Sequence, residues 1–409
     1  MSATSLVGFG DADAFYASAE CVRRPWLKGV PVGVLGNQGA CVIARSYAMK
    51  RYGVQVGEPI WEARQKCPHG VYVKRDFRWY ESLSRQMFAE LERFSAHREY
   101  YSIDEFFWEA ERIGSTWQET AEAVRAHIGQ KVGVPMTVAY ARTRTLAKLF
   151  ADTAKPNGAL AVTDRDRERH LLGQLPVTEI AGIGRRRARR LMPYGIKTCL
   201  DYAEADPRLL RRLLTVVGVQ LWMELNGTQV TPIRPRRTPH KMIARGGSLA
   251  GRVSSPWRLY GWLVRNVERL IEELHFHQVR THALAVHVSY FEGPSGYSVA
   301  SFPVPTDRFE ELLEAAKQGL RQVWRPGQWA THMHLIATEL VRPGNWQRSL
   351  FAENAAEERA ETLARLKRDI NERYGRFKLR SGATLYANEF YSDAANEYDI
   401  CDIHGKFCF

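Results

Sequence analysis

What this sequence lacks narrows what it can be. No apolar run approaches the ~20 residues that cross a bilayer. The first residues carry no charged segment leading into a long apolar core, so neither a membrane span nor a secretory leader is expected. Cysteine is scarce and scattered: the six lie at 21, 41, 67, 199, 401 and 408, without disulfide-scaffold spacing, which fits reduced thiols in a cytoplasm. Acid is the minority charge, 45 Asp plus Glu against 58 Lys plus Arg, for a net +13. That imbalance is unusual for an enzyme of small anionic metabolites and points to a polyanionic partner, nucleic acid before membrane surface. What remains is ordinary: 45% hydrophobic and 25% charged residues in a chain of 409, enough for two to four domains with a buried core.

Against that scarcity of acid, two short stretches concentrate carboxylates among apolar neighbours. Asp11-Ala12-Asp13-Ala14-Phe15-Tyr16 follows Leu6-Val7-Gly8-Phe9-Gly10 and leads into Phe15–Glu20, a strand passing into a helix. Tyr100-Tyr101-Ser102-Ile103-Asp104-Glu105-Phe106-Phe107-Trp108 reads as a buried strand carrying two carboxylates in its middle. Either stretch alone has a plain explanation, a helix cap or an arginine pair. Charged groups inside apolar strands are costly unless paired or metal-bound. A site that gathers carboxylates around two Mg²⁺ ions explains both stretches at once.

These residues carry a resemblance. Asp11–Glu20 resembles the opening motif of Y-family translesion DNA polymerases, and Ser102–Glu105 their second catalytic motif. Cys41-Val42-Ile43-Ala44-Arg45-Ser46 is similar to the UmuC branch, the catalytic subunit of DNA polymerase V. The likeness runs in order as far as Leu350 and continues more weakly into the tail. It implies an α+β multidomain, right-hand polymerase with a ferredoxin-like palm, small fingers, a helix-hairpin-helix thumb and an α+β little finger. The boundaries expected are 1–170 for palm and fingers (fingers about 21–74), 171–230 for the thumb, 231–240 for a linker, 241–343 for the little finger and 344–409 for a clamp-binding motif and tail. It also implies error-prone synthesis from dNTPs past damaged bases, in damage tolerance and SOS mutagenesis, by a two-metal mechanism. Asp11, Asp104 and Glu105, with the Ala12 carbonyl, would hold two Mg²⁺; Asp13 aligns with a variable position and is not counted. Phe15, Tyr16, Ala44, Tyr47, Lys50 and Lys155 match nucleotide-contacting positions, Tyr16 as the steric gate against a ribose 2′-hydroxyl. Ala44 departs from relatives that carry a hydroxyl there, which removes one phosphate hydrogen bond. The partners implied are primer–template DNA, dNTP, a bacterial sliding clamp, and UmuD-like and RecA-like proteins. The location implied is bacterial, cytoplasmic and nucleoid-associated on DNA, with no membrane.

Elsewhere along the chain, Arg45, Lys50 and Arg51 crowd one short helical segment where a triphosphate can be held, or where a basic face is simply solvated. Leu83, Met87, Leu91 and Phe94 form one helical face and read as core. Pro156 and Gly158 end a helix and fix Lys155 at its last turn. Gly182-Ile183-Gly184 followed by Arg185 and further arginines resembles a helix-hairpin-helix whose amides and charges meet DNA phosphate. Thr231–Pro239 reads as an extended basic linker. Beyond it come a strand near Lys241–Ala244, a helix from Pro256 to Phe276, a strand at His282–Ser289, a helix at Phe309–Val323 and a strand at His332–Ala337. His282, His287, His332 and His334 fall by alternation on a half-exposed face, toward DNA phosphate or solvent. Gln347, Leu350 and Phe351 resemble the bacterial clamp-binding pentapeptide. Cys401, His404 and Cys408 offer three ligands where structural zinc takes four, so no zinc is expected. The rival readings are a catalytically inactive DNA-binding paralogue, which would lose the carboxylates, and a two-metal nucleotidyl cyclase, which has no use for the Gly-Ile-Gly segment.

Overall fold

The computed structural model describes residues 6–36, 41–236, 238–342, 354–374 and 377–384, in two compact units that divide between Arg236 and Thr238. The first unit opens with β1 (Val7–Ala12), buried along its whole length, and α1 (Phe15–Arg23). Next come β2 (Val32–Leu35), β3 (Val42–Arg45), α2 (Tyr47–Lys50), α3 (Ile60–Lys66) and β4 (Val71–Lys74). Then follow α4 (Phe77–Glu90), β5 (Arg98–Tyr100), β6 (Glu105–Glu109), α5 (Trp117–Val132), β7 (Met136–Ala141), α6 (Arg144–Ala154) and β8 (Ala159–Ala161). The unit ends with α7 (Arg165–Gln174), α8 (Arg185–Leu191), α9 (Cys199–Glu204) and α10 (Pro207–Leu225), the last bent at Thr215.

Two sheets result: five strands in the order β5-β6-β1-β7-β8, and three in the order β3-β2-β4. In the larger sheet β1 runs antiparallel to both β6 and β7. Alternate side chains of these strands feed two cores. Phe106, Trp108, Val138 and Tyr140 pack with α4 and α5, while Phe9, Phe107 and Ala139 pack with α6 and the helices that follow it. Gly8 is required by this packing. It lies between Trp108 and Tyr140 in register, and a Cβ there would sit 2.1 Å from the indole nitrogen. Without one, the indole reaches across to donate to the Tyr140 hydroxyl at 3.0 Å.

The acidic stretch expected as one strand is two. β5 ends at Tyr100, a turn occupies Ser102–Asp104, and β6 starts at Glu105. The Ser102 hydroxyl takes the Glu105 amide at 3.1 Å, offering the backbone a turn in place of a ladder. Asp104 therefore sits in a hairpin tip and Glu105 at a strand start, where the apolar run suggested mid-strand burial. The stretch read as a linker is also tied down at its beginning. The Thr231 amide donates to Glu224 at 2.8 Å, and the Arg234 amide to Glu99 at 2.7 Å.

The second unit contains β9 (Met242–Val253), α11 (Pro256–Phe276), β10 (Arg280–Tyr290), β11 (Gly296–Thr306), α12 (Phe309–Val323), β12 (Ala330–Val341) and α13 (Asn354–Tyr374). Its sheet, in the order β11-β10-β12-β9, packs Leu284, Val286, Val288, Met333 and Leu335 beneath α11 and α12. Lys367 of α13 pairs with Glu268 of α11 at 2.9 Å. No described helix is long and apolar enough to cross a membrane.

Candidate active site

Strand register assembles the site. Asp11, at the end of β1, stands opposite Glu105 on one side and Thr137 on the other. The Ala12 amide donates to the Asp104 carbonyl at 2.8 Å, and the Asp13 amide to the Pro135 carbonyl at 2.9 Å. Asp11, Asp13, Asp104 and Glu105 thus gather at one end of the five-stranded sheet. The chain leaves that end through Ala14, in the left-handed region at φ 46°, an uncommon conformation for a residue with a Cβ. The Asp13 carbonyl then accepts from the Ser18 hydroxyl at 2.6 Å as α1 begins.

Each carboxylate has its own holder. Lys155 lies 2.6 Å from Asp11 and 2.8 Å from Asp152. Lys148 lies 2.5 Å from both oxygens of Glu105. The Ser102 hydroxyl donates to Asp104 at 2.6 Å. Asp13 is occupied differently, accepting from the Tyr47 hydroxyl at 3.1 Å, the Thr137 hydroxyl at 2.8 Å and the Asn157 amide at 2.8 Å. Its oxygens fasten α2 and the segment after α6 to the sheet.

Five carboxylates in this cluster, Asp152 included, face two ammonium groups, in a chain whose overall charge is strongly positive. The crowding and burial displace some of these groups from their ordinary pKa values. Burial pushes the Asp11 carboxyl up to about 7; Lys155 opposes the rise, and the charges of Asp104 and Glu105 add to it. Asp13 is also raised, by burial first. Tyr47 is pushed up to about 12 by burial and then by the neighbouring Asp13 charge. Burial works against the Lys155 ammonium, yet Asp11 and Asp152 outweigh it and hold Lys155 above the ordinary lysine range.

Among the described residues no three His, Cys, Asp or Glu side chains stand close enough to share one metal ion. The donor set is nonetheless of the hard-oxygen kind that Mg²⁺ takes. Two ammonium groups occupy positions against Asp11 and Glu105 where cationic charge is wanted. In donor type, then, the residues fit a divalent cation.

The other expected contacts separate. The Tyr16 ring stacks on Tyr80 with centroids 4.7 Å apart and meets the Phe77 edge at 5.6 Å. Tyr80 is held in turn by fully buried Glu20, to which its hydroxyl donates at 2.8 Å. Phe15 is only 4% exposed, so its side chain is core and a ligand can meet only its backbone. Tyr47 joins the site, and the exposed Lys50 ammonium lies 5.8 Å from the Tyr47 ring. Ala44 pairs with Val34 inside the small sheet. Beside it, Arg45 keeps one buried guanidinium nitrogen, Nη1, without a hydrogen-bond partner among the described residues. Gly182 adopts φ +94°, Gly184 caps α8, and Arg185 is exposed at its start. Gln347, Leu350 and Phe351, and the tail cysteines and His404, lie outside the described residues.

Sequence reasoning missed Lys148, Thr137, Ser102, Asn157 and the Glu20–Tyr80 support. Only Lys148 left a signal: it precedes Lys155 by two helical turns, hence on one face. The four histidines also divide. His287 pairs with His334 in register, and His332 with Ser248, on one sheet face. His282 sits instead at the bulge between Thr281 and Ala283, with Nδ1 3.1 Å from the Phe302 carbonyl.

Residues 10–152 match the impB/mucB/samB family, and residues 240–350 the C-terminal domain of that family. Protein ImpB of Salmonella typhimurium is 30% identical over 386 residues, covering 90% of each chain. DNA polymerase IV of Bacillus velezensis is 28% identical over 93% of each chain. Protein UmuC of Salmonella typhimurium is 28% identical over 90% of this chain and 91% of its own. Among solved structures, a Y-family DNA polymerase chimera of Dbh and Dpo4 superposes with a TM-score of 0.71 at 22% identity, over 82% of this chain and 99% of that one. That likeness shows a shared α+β, multidomain fold. Matched at both ends and related along nine-tenths of its length, the chain belongs to the impB/mucB/samB family of Y-family DNA polymerases.

Proposed function

We propose that this chain is an error-prone translesion DNA polymerase that extends a primer from dNTPs opposite damaged template bases. The observation that carries this reading is the convergence of Asp11, Asp104 and Glu105 at one sheet end, with Lys155 and Tyr47 beside them. On this reading the five-stranded sheet is the palm, the β3-β2-β4 segment the fingers, α7–α10 the thumb, residues 231–240 a linker and 241–343 the little finger.

Asp11, Asp104, Glu105 and the Ala12 carbonyl would hold two Mg²⁺. When bound, such ions lower the pKa of a primer 3′-hydroxyl and neutralise a triphosphate and its pyrophosphate. The protein's own residues do the rest. Ser102 and strand register fix where the three carboxylates point. Asp13 locks Tyr47 and Asn157 in place, which sets the walls of the triphosphate site. Lys155 turns from Asp11 toward phosphate oxygens, joined by Tyr47, Lys50 and the unpartnered Nη1 of Arg45. Tyr16, backed by Tyr80, presents a flat wall that crowds a ribose 2′-hydroxyl. Gly182, Gly184 and Arg185 meet the DNA backbone, so binding weakens steeply with salt and varies little with sequence. Gln347, Leu350 and Phe351 would engage a sliding clamp, and UmuD-like and RecA-like proteins are the further partners. The setting is the SOS response in a bacterial cytoplasm, at the nucleoid when on DNA.

Primer extension by the purified chain with Mg²⁺, on undamaged and abasic templates, tests the reading. Template-directed addition is expected on both. DNA binding without any addition would replace this reading with that of an inactive paralogue.

A further inference from the structure

Helix α6 presents two lysines to the carboxylate cluster, and the function proposed above uses only one. Lys155, at its C-cap, pairs with Asp11. Lys148, two turns earlier, meets both oxygens of Glu105 at 2.5 Å across 43 residues of sequence. Its ammonium lies over two aromatic rings, 5.4 Å from that of Phe9 and 5.3 Å from that of Tyr101. The Tyr101 side of this arrangement is open, since that residue is 50% exposed. Side-chain exposures of 24% for Lys148 and 19% for Glu105 leave the pair reachable from solvent.

A divalent ion arriving at Glu105 meets an ammonium already on both oxygens; the carboxylate keeps further lone pairs, but the two cations repel, so each weakens the other's hold. We infer that Lys148 is a removable internal counter-ion of Glu105, which neutralises this carboxylate until a divalent cation takes it and then makes a contact to a phosphate group of a bound ligand. This rests on the polymerase reading of the site, where polyanionic ligands and divalent cations arrive together. Lys148 is on this view a positioning residue that couples the two, lowering metal affinity when the site is empty and raising phosphate affinity once metal is present. The phosphate comes either from the primer–template backbone or from the nucleotide, and two arms of one experiment separate these sources.

Lys148→Met keeps an unbranched apolar stem but removes the charge, and Lys148→Arg restores a cation. Mn²⁺ binding to the DNA-free full chain, read by electron paramagnetic resonance, is expected to tighten about fivefold in Lys148→Met and to return toward wild type in Lys148→Arg. The ratio of ligand affinity with and without Ca²⁺ is then measured for primer–template alone and for dNTP alone. In one arm that ratio is expected to be about fivefold smaller in Lys148→Met than in wild type, and that arm names the phosphate. Mn²⁺ affinity unchanged or weakened in Lys148→Met, with its melting curve intact, overturns the inference. So does a Ca²⁺ ratio that matches wild type in both arms. Wild-type primer extension keeps the two readings apart. If wild type extends and the Mn²⁺ affinities agree, the inference alone falls; if wild type does not extend while Lys148→Met tightens Mn²⁺, the polymerase reading falls and the counter-ion stands.

Discussion

At one end of the five-stranded sheet, Asp11, Asp13, Asp104 and Glu105 crowd together under two lysines. The four-stranded sheet of the second unit carries, on the face away from α11 and α12, rows with no formal charge. Register pairs Met242, Thr338, Ala283 and Ser301 in one row, Ala244, Ile336, Ala285 and Val299 in the next, and Gly246, His334, His287 and Tyr297 in a third. Both units are sheets under helices, built from the same alternation. What differs is where polarity sits. In the first unit it gathers at strand ends, where register and a turn bring carboxylates from β1 and the β5–β6 hairpin to the same edge of the sheet. In the second it is spread thinly over a face of small and neutral side chains. A strand end focuses charge for chemistry on one atom; a smooth neutral face suits contacts that must tolerate any sequence.

Removing a carboxylate should break the contrast most severely. Asp104→Ala or Glu105→Ala is expected to lower primer extension by roughly three orders of magnitude or more, since one missing ligand destroys the metal geometry. DNA affinity, carried elsewhere, should stay within about twofold in a fluorescence-anisotropy titration. Near wild-type extension in either variant would mean that the sheet end is an ion-pair cluster with no part in chemistry.

Next in size is sugar selection. Tyr16→Ala removes the ring that stacks on Tyr80 and should raise ribonucleotide relative to deoxyribonucleotide incorporation by roughly a hundredfold. The ring discriminates by clash, so truncating it relaxes selectivity more than it slows synthesis. Competition between dNTP and NTP in single-turnover extension reads this out. Activity that falls with the ratio unchanged would make Tyr16 a core residue.

How much of this was legible differs between the units for physical reasons. Helices Pro256–Phe276 and Phe309–Val323 could be placed from sequence, because each has an apolar stripe; Ser255 caps the first. β9 was seen only at its start, since Gly246, Gly247 and Gly251 hide the alternation of a strand that runs on to Val253. β11 left too little apolar contrast to be read, with Tyr297, Val299 and Val304 exposed. At the site, the motif carboxylates could be recognised because chain neighbours accompany them. Thr137 could not, because pairing across the sheet brings it to Asp13; Lys148 left only its spacing from Lys155, which does not name Glu105 as its partner. The Ser102 turn was missed because aromatic neighbours on both sides imitate an unbroken strand.

A smaller effect should follow from the burial of Asp11. Its carboxyl is raised from 3.8 to about 7 in the folded protein, so between those values the folded state binds more protons than the unfolded one. Stability of the metal-free protein therefore falls as pH rises through that window, and the full cost is present above it. Asp11→Asn removes a charge that burial disfavours but also the Lys155 pair, and a net gain on the order of 2 kcal/mol at pH 8 is expected. At pH 5, where Asp11 is itself protonated, the variant should match wild type in denaturant titrations. A gain of equal size at both pH values would sever it from ionisation.

The smallest effect belongs to the neutral face, which should not stay neutral at low pH. His287 and His334 are register partners with ring centroids 6.2 Å apart, and His332 lies on the same face. His334 is held below the ordinary histidine range, by burial first and then by His287 and His332. It therefore takes its proton only at pH values under the usual histidine midpoint. The paired rows place no Asp or Glu beside it to neutralise that proton. If this face meets DNA, affinity at fixed salt should rise as pH falls from 7.5 to 5.5, by about threefold for one added cation near phosphate. The double variant His287→Asn, His334→Asn keeps polar side chains of similar reach and should flatten that rise while leaving affinity at pH 7.5 nearly unchanged. A flat wild-type profile would put DNA on another surface of the second unit. A rise that survives in the double variant would assign the protons to other groups. Only a rise that disappears with these two rings ties the neutral face to nucleic acid, and it would show that the two sheets differ in when they are charged as well as where.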